Sequence, residues 1–184
     1  MRRYVALVAL ATTALLSSGC GTDQPEPAVN ASDVMFLQMM VAHNRQGLDI
    51  TKLAEAREVR PEVRTLAAAI AATQDTEVQT MIRWLRDWDQ PLTANPDDHH
   101  AHGGMPQTTK SELARLRDAK PSDFERRLLN TLIAHQDDGV QLARYEKGGG
   151  TNPGTLDLAT KIDTSRTAQI KYMLELLDTS PPNT

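Results

Sequence analysis

Apolar residues recur every three or four positions along four long segments of the chain, and no segment alternates between apolar and polar residues as a strand does. Ser32 or Asp33 can cap the start of the first segment, and Ser122 with Glu125 fits a capping box at the start of the third. The glycines at 148–150 end the third segment. The four segments, with a shorter helix before the third, run over about 33–57, 61–89, 110–118, 122–147 and 154–178. The pattern predicts an all-α protein.

The first two long segments resemble the last two. When the sequence is shifted by 92 positions, ten of the fifty residues from 36 to 85 meet identical residues, whereas average residue usage would give roughly three. His43 falls on His135 and Gly47 on Gly139 without a gap. Each helical hairpin has an apolar face that it cannot bury alone, so two copies should pack together. We therefore predict a four-helix bundle over residues 33–178, built from two repeats at about 33–89 and 122–178.

The first twenty residues have the layout of an export signal: two arginines, a short apolar run, and small residues that end in Gly19-Cys20. The apolar run is too short to cross a bilayer comfortably. Cys20 is the only cysteine, and its setting resembles a bacterial lipoprotein signal in which the cysteine is lipidated; a plain secretory signal is the alternative. We predict a signal peptide over 1–19 and a lipidated tether over 20–32 that anchors the protein to the extracytoplasmic face of the cell membrane.

Composition and motifs argue against several functions. From Cys20 onward the chain has 18 basic and 24 acidic residues, a net charge of −6, with no basic stripe and few aromatic residues, so no nucleic-acid binding is expected. Gly-x-Ser-x-Gly, phosphate-binding and His-Glu-x-x-His motifs do not occur in the sequence. The Glu-x-x-His pairs of di-iron bundles are missing as well. We expect that the protein is not an enzyme.

A polar loop at about 90–109, between the two repeats, contains a cluster of histidines. Its candidate metal ligands are His99, His100, His102 and Met105. Three imidazoles within four residues can chelate Cu(II), Ni(II) or Zn(II) when they are deprotonated. A solvated loop that is merely rich in histidine is the alternative interpretation.

Polar residues also interrupt the apolar stripes of the long segments. They are His43, His135, Gln74, Glu77, Arg166 and Gln169. In a symmetric bundle they would meet near the axis that relates the hairpins, and since a buried unpaired charge is costly, Glu77 and Arg166 should pair. The favoured interpretation is a structural polar network that fixes helix register. The alternative is a copper site, because thioether and imidazole groups suit Cu(I); its ligands would be His43, His135, Met81 and either Met39 or Met40.

The pattern of several of these residues resembles that of a known bacterial family, catalogued as domain of unknown function number 305. The resemblance rests on Asp33, Phe36-Leu37, Met40, Ala42-His43, Gln74, Glu77 and Met81, and on Leu128-Leu129, Ile133-Ala134-His135, Gly139 and Met173. It covers about residues 33–178 and implies an exported, often lipid-anchored, ferritin-like four-helix protein. Some members are associated with copper through methionine and histidine side chains. The family's second histidine is replaced here by Asn44 and Gln136, and its Gln-x-x-Glu pattern reads Arg166 and Gln169 in the second repeat.

The family resemblance and the loop histidines together imply a membrane-anchored extracytoplasmic protein that handles metal, with copper as the expected ion, by binding or buffering it without catalysis. The membrane, through the lipid anchor, and the metal ion are the expected partners. A structural or protein-interaction module displayed on the cell surface, without metal, is the alternative function.

Overall fold

A computed structural model describes residues 28–93 and 108–179. Its helices are α1 (Ala31–Ala56), α2 (Pro61–Asp87), α3 (Lys110–Arg117), α4 (Pro121–Gly149) and α5 (Pro153–Asp178). These two described ranges contain helices and no strand, which confirms the prediction of an all-α protein.

The ends of the helices follow from local sequence, although two of the predicted caps are wrong. Asn30, rather than Ser32 or Asp33, caps α1: its side chain accepts a hydrogen bond from the Asp33 amide at 2.9 Å, and the Asp33 carboxylate accepts one from the Asn30 amide at 2.7 Å. Helix α4 begins at Pro121 without a side-chain cap. Glu125 instead accepts hydrogen bonds from Arg60 of the other hairpin, so a tertiary partner has displaced the local one.

The four long helices form two hairpins, α1–α2 and α4–α5, which contact each other mainly through α1 and α4. The short helix α3 lies against α4. Both hairpin turns are only a few residues long, and each second helix begins with a proline, which is favoured in the first turn because that position needs no hydrogen-bonding amide. This arrangement is compatible with the predicted bundle of two repeated hairpins.

The hydrophobic core consists of two clusters at opposite ends of the helices. One contains the first half of α1, the second half of α2 and the facing parts of α4 and α5, with Phe36, Met40, Met81 and Leu85 fully buried. The other contains the second half of α1 and the first half of α2, with Ile50 and the facing residues of α4 and α5. Between the two clusters every long helix contributes buried polar side chains. The fold therefore places a polar layer at its middle.

Candidate functional site

The polar layer contains the core residues that the repeat pattern identifies, together with two amides and two glycines. Its members are His43, Asn44 and Gly47 on α1, Gln74 and Glu77 on α2, His135, Gln136 and Gly139 on α4, and Arg166 and Gln169 on α5. Asn44 and His135 are completely buried, and Arg166 is only 2% exposed. Since burial removes water from these polar groups, they depend on one another for hydrogen bonds.

The two histidines meet at the centre of the layer. The rings of His43 and His135 stack face to face, with centroids 3.9 Å apart and planes 3° from parallel. Burial lowers the pKa of His135 to about 3, and the nearby charge of Arg166 adds to the effect. The His135 ring is therefore neutral at physiological pH. Neither of its nitrogens has a hydrogen-bond partner among the described residues.

One half of the layer is charged. Arg166 Nη2 donates to Asn44 Oδ1 at 2.6 Å and to Glu77 Oε2 at 2.9 Å, and Asn44 Nδ2 donates to the same carboxylate oxygen at 2.8 Å. Burial lowers the pKa of Arg166 while the Glu77 carboxylate opposes that shift, and the guanidinium remains a cation. The ion pair expected between Glu77 and Arg166 is thus present, and Asn44 is a third member of it.

The other half repeats this arrangement with neutral groups. Gln136 Nε2 donates to Gln169 Oε1, and Gln74 Nε2 donates to Gln136 Oε1 at 3.0 Å. In each half, an amide next to the central histidine joins the second helix of its own hairpin to the second helix of the other hairpin. Sequence reasoning treated Asn44 and Gln136 only as lost histidines. Their equivalence under the 92-residue shift was the signal that they share a role.

Each of the two glycines of the layer makes room for a side chain of its own hairpin and for the histidine of the other hairpin. A Cβ atom at Gly47 would overlap Gln74 Oε1 and lie 2.6 Å from His135 Nε2. A Cβ atom at Gly139 would overlap Arg166 Nη1 and lie 3.1 Å from His43 Nε2. Glycine is costly inside a helix, and here its cost is offset by the close approach of the side chains that build the layer.

The arrangement of the core does not fit a metal ion. The lone pair of an imidazole nitrogen lies in the ring plane, so two parallel stacked rings cannot direct their lone pairs at one ion about 2 Å from both. The Arg166 guanidinium next to His43 also repels cations. Met39, Met40 and Met81 belong to the hydrophobic cluster on one side of the layer. Within 28–93 and 108–179, no three His, Cys, Asp or Glu side chains are grouped to hold a metal. The geometry favours the structural network over the copper site.

The remaining predicted site residues lie outside the described part of the chain. They are the lipidation candidate Cys20 and the loop ligands His99, His100, His102 and Met105. Both described ends of the loop are attached to α1. Gln38 Nε2 donates to the Pro91 carbonyl at 2.7 Å, and the Gln46 amide binds both the N–H and the C=O of Thr108 at 2.9 Å. Gln38 and Gln46 are two helical turns apart, about 12 Å along the axis.

None of the helices in the described ranges has the length and apolar character needed to cross a bilayer. The predicted signal peptide precedes the described residues.

Comparisons with known proteins identify relatives of the whole helical region. The family model for a domain of unknown function, DUF305, matches residues 33–177. A Streptomyces coelicolor DUF305 structure, described as that of a secreted protein, is 28% identical with a TM-score of 0.75, over 80% of this chain and 92% of that one. A DUF305 fragment from Deinococcus radiodurans is 26% identical with a TM-score of 0.73, over 84% of this chain and all of the fragment.

The protein CopM is a further structural neighbour. Its Cu(I)-bound and Cu(II)-bound forms are 25% and 27% identical to this chain, each with a TM-score of 0.66 over 79% of this chain and 95% of CopM. No curated protein matches the sequence.

Proposed function

Because the chain belongs to the DUF305 family, we propose that it is a lipid-anchored extracytoplasmic protein that binds or buffers copper and catalyses no reaction. The observation that carries the proposal is the similarity to CopM, whose structure is known with both Cu(I) and Cu(II) bound. The export signal and Cys20 support the location, as does a structural neighbour described as secreted.

Copper binds in the loop and not in the core. The stacked histidines and the buried Arg166 argue against an ion in the polar layer, whereas His99, His100 and His102 offer three neighbouring imidazoles, which suit Cu(II). The attachment of Pro91 and Thr108 to α1 keeps the two ends of the loop at a fixed separation. Because the ends of the loop are already fixed, less conformational entropy of the chain is lost when an ion binds to it.

A metal titration of purified residues 21–184 tests this assignment. We expect both Cu(II) and Cu(I) to bind. Changing His99, His100 and His102 together to Ala should weaken Cu(II) binding by more than about tenfold, because loss of a residue that only supports a metal ligand already costs about that much. The matched control is His135→Gln, which alters the core and should leave the affinity unchanged. Circular dichroism establishes that both variants remain helical.

The opposite result would assign the ion to the core: binding kept in the loop variant and lost in His135→Gln. If wild-type protein binds no copper at micromolar concentration, the protein is instead an interaction module at the cell surface.

The anchor is tested separately, since Cys20→Ala should move the protein from the membrane fraction to the soluble fraction. Protein that stays in the membrane fraction would contradict lipidation.

A further inference from the structure

The two hairpins are joined at one end of the molecule by a buried carboxylate. Asp33, in the first turn of α1, accepts hydrogen bonds at Oδ1 from the backbone amides of Thr151 and Asn152, both at 3.0 Å, and from the Thr155 hydroxyl at 2.7 Å. Its Oδ2 accepts from the Asn30 amide. Asp33 is completely buried, and its donors come from the α4–α5 turn and the start of α5. It therefore fixes the beginning of the first hairpin to the turn of the second.

A second buried carboxyl group lies against this one. Glu146, near the end of α4, is 0% exposed, and no backbone or side-chain N–H of the described residues donates to its carboxylate oxygens. A Cβ atom at Gly150 would overlap Glu146 Oε1, so glycine lets the turn close over this group. We call Asp33, Glu146 and Thr155 the acidic junction.

No described cation neutralises the acidic junction. Arg144 and Lys147, the basic residues nearest to Glu146 on α4, both bind Asp163 of α5 at 3.4 Å and 2.8 Å and are largely exposed. The groups that act on Glu146 are Asp33 from α1 and Thr155 from α5. Two ionised carboxylates cannot share a buried site without strong repulsion.

The two carboxyl groups differ in their surroundings. Burial opposes ionisation of Asp33, but hydrogen bonds from Asn30, Thr155 and Asn152 outweigh it and lower the pKa of Asp33 to about 2. Burial raises the pKa of Glu146 to about 7; the Thr155 hydroxyl opposes this rise, and the negative charge of Asp33 adds to it. Below about pH 7, Asp33 is thus the ionised member and Glu146 the protonated one.

We propose that Glu146 holds a proton that it donates to Asp33, and that release of this proton opens the acidic junction between the two hairpins. The Glu146 O–H bond breaks and the proton passes to water, which leaves two facing carboxylates. The Thr155 hydroxyl can turn its own hydrogen bond from Asp33 to the Asn152 carbonyl, which is 2.9 Å away. Asp33 can then accept the proton of Glu146 instead. The junction directly follows the predicted tether, so its opening frees the end of α1 nearest to the anchor.

The opposite end of the molecule supplies an internal comparison. Under the 92-residue shift, Asp33 corresponds to Glu125, Asn152 to Arg60 and Glu146 to Ala54. Glu125 accepts from the Arg60 backbone amide and from Arg60 Nε, both at 2.6 Å. That junction contains a cation, and Ala54 stands where the acidic junction has Glu146. Of the two junctions, we therefore expect only the acidic one to respond to pH near neutrality.

Amide hydrogen exchange of the mature chain, Cys20–Thr184, followed by NMR from pH 5.5 to 8.5, tests the proposal. After correction for the intrinsic pH dependence of exchange, protection of the Thr151 and Asn152 amides should fall by about tenfold or more as the pH rises through the range in which Glu146 ionises. Protection of the Arg60 amide should stay constant. In Glu146→Gln, whose amide stays neutral, all three amides should be insensitive to pH.

Constant protection of Thr151 and Asn152 in the wild-type protein would overturn the proposal, as would an equal loss of protection in Glu146→Gln. The ¹³C shift of the Glu146 carboxyl group gives a second measurement that needs no variant. Its titration midpoint should lie near neutrality, and a midpoint near the ordinary glutamate value, about 4.3, would also overturn the proposal.

Discussion

Arg166 occupies the position that is equivalent, under the 92-residue shift, to the neutral amide Gln74 of the first hairpin. The substitution is accompanied by a carboxylate: Glu77 pairs with Arg166, whereas its equivalent Gln169 is neutral. One half of the polar layer is therefore an ion pair and the other half a pair of amides. A buried ion pair is often no more stable than a neutral arrangement of the same shape, but removing one partner leaves a buried charge.

The single change Arg166→Gln should lower the free energy of unfolding by about 3 kcal/mol, because it leaves Glu77 nearly buried and without its cation. The double change Glu77→Gln with Arg166→Gln recreates the amides of the other half, and its stability should lie within about 1 kcal/mol of wild type. Urea denaturation of the three proteins measures both differences. A double variant no more stable than the single one would show that the layer requires the charges themselves.

At the scale of helices, Gly47 and Gly139 allow the side chains of the polar layer to approach α1 and α4 closely. Gly139→Ala should destabilise the protein by about 2 kcal/mol, because displacing Arg166 breaks its bonds to Asn44 and Glu77 and this loss exceeds the gain of about 1 kcal/mol in helix propensity. The matched control is Gly148→Ala, also in α4, where no atom beyond the adjacent residues and the helix's own backbone lies within 4 Å of the added methyl group.

The control variant should be slightly more stable than wild type, by at most about 1 kcal/mol. Thermal denaturation monitored by circular dichroism compares the two variants. If Gly139→Ala is as stable as Gly148→Ala, the layer can rearrange without cost and the glycine is not needed for the approach of Arg166.

The helices and their pairing could be predicted from the sequence, whereas several contacts of single residues could not. Helical periodicity and the 92-residue repeat are properties of the chain itself, so they gave the all-α class and placed His43 opposite His135. The caps were harder, because Glu125 fits a local capping box and yet binds Arg60 from the other hairpin. A sequence shows which partners are near along the chain, but tertiary packing decides which of them is used.

The chemistry of the polar layer shows the same limit. The pairing of Glu77 with Arg166 follows from the cost of burying charge, which needs no coordinates. The stacking of the two imidazole rings, which argues against a metal between them, depends on ring orientation, and no residue pattern specifies it. Glu146 has an apolar equivalent, Ala54, in the first repeat, so the repeat pattern gave no reason to expect a second carboxyl group beside Asp33.

At the scale of the whole molecule, two buried groups should oppose each other in the dependence of stability on pH. His135 has its pKa lowered by burial to about 3, so the unfolded chain binds a proton there that the folded protein does not, and stability falls as the pH decreases from about 6.5 to 3. Glu146 has its pKa raised by burial to about 7, so the folded protein keeps a proton that the unfolded chain loses. Stability therefore falls as the pH increases from about 4.5 to 7.

Between about pH 4.5 and 6.5 the two slopes have similar size and opposite sign, about 1.4 kcal/mol per pH unit each, so they should nearly cancel in the wild-type protein. Each variant should expose the slope of the other group. In Glu146→Gln the free energy of unfolding should rise with pH over this range, and in His135→Gln it should fall. Urea denaturation at half-unit pH intervals measures the three curves. If the two variants have parallel curves, at least one of these groups titrates at its ordinary pKa in the folded protein and is not held as the structure places it.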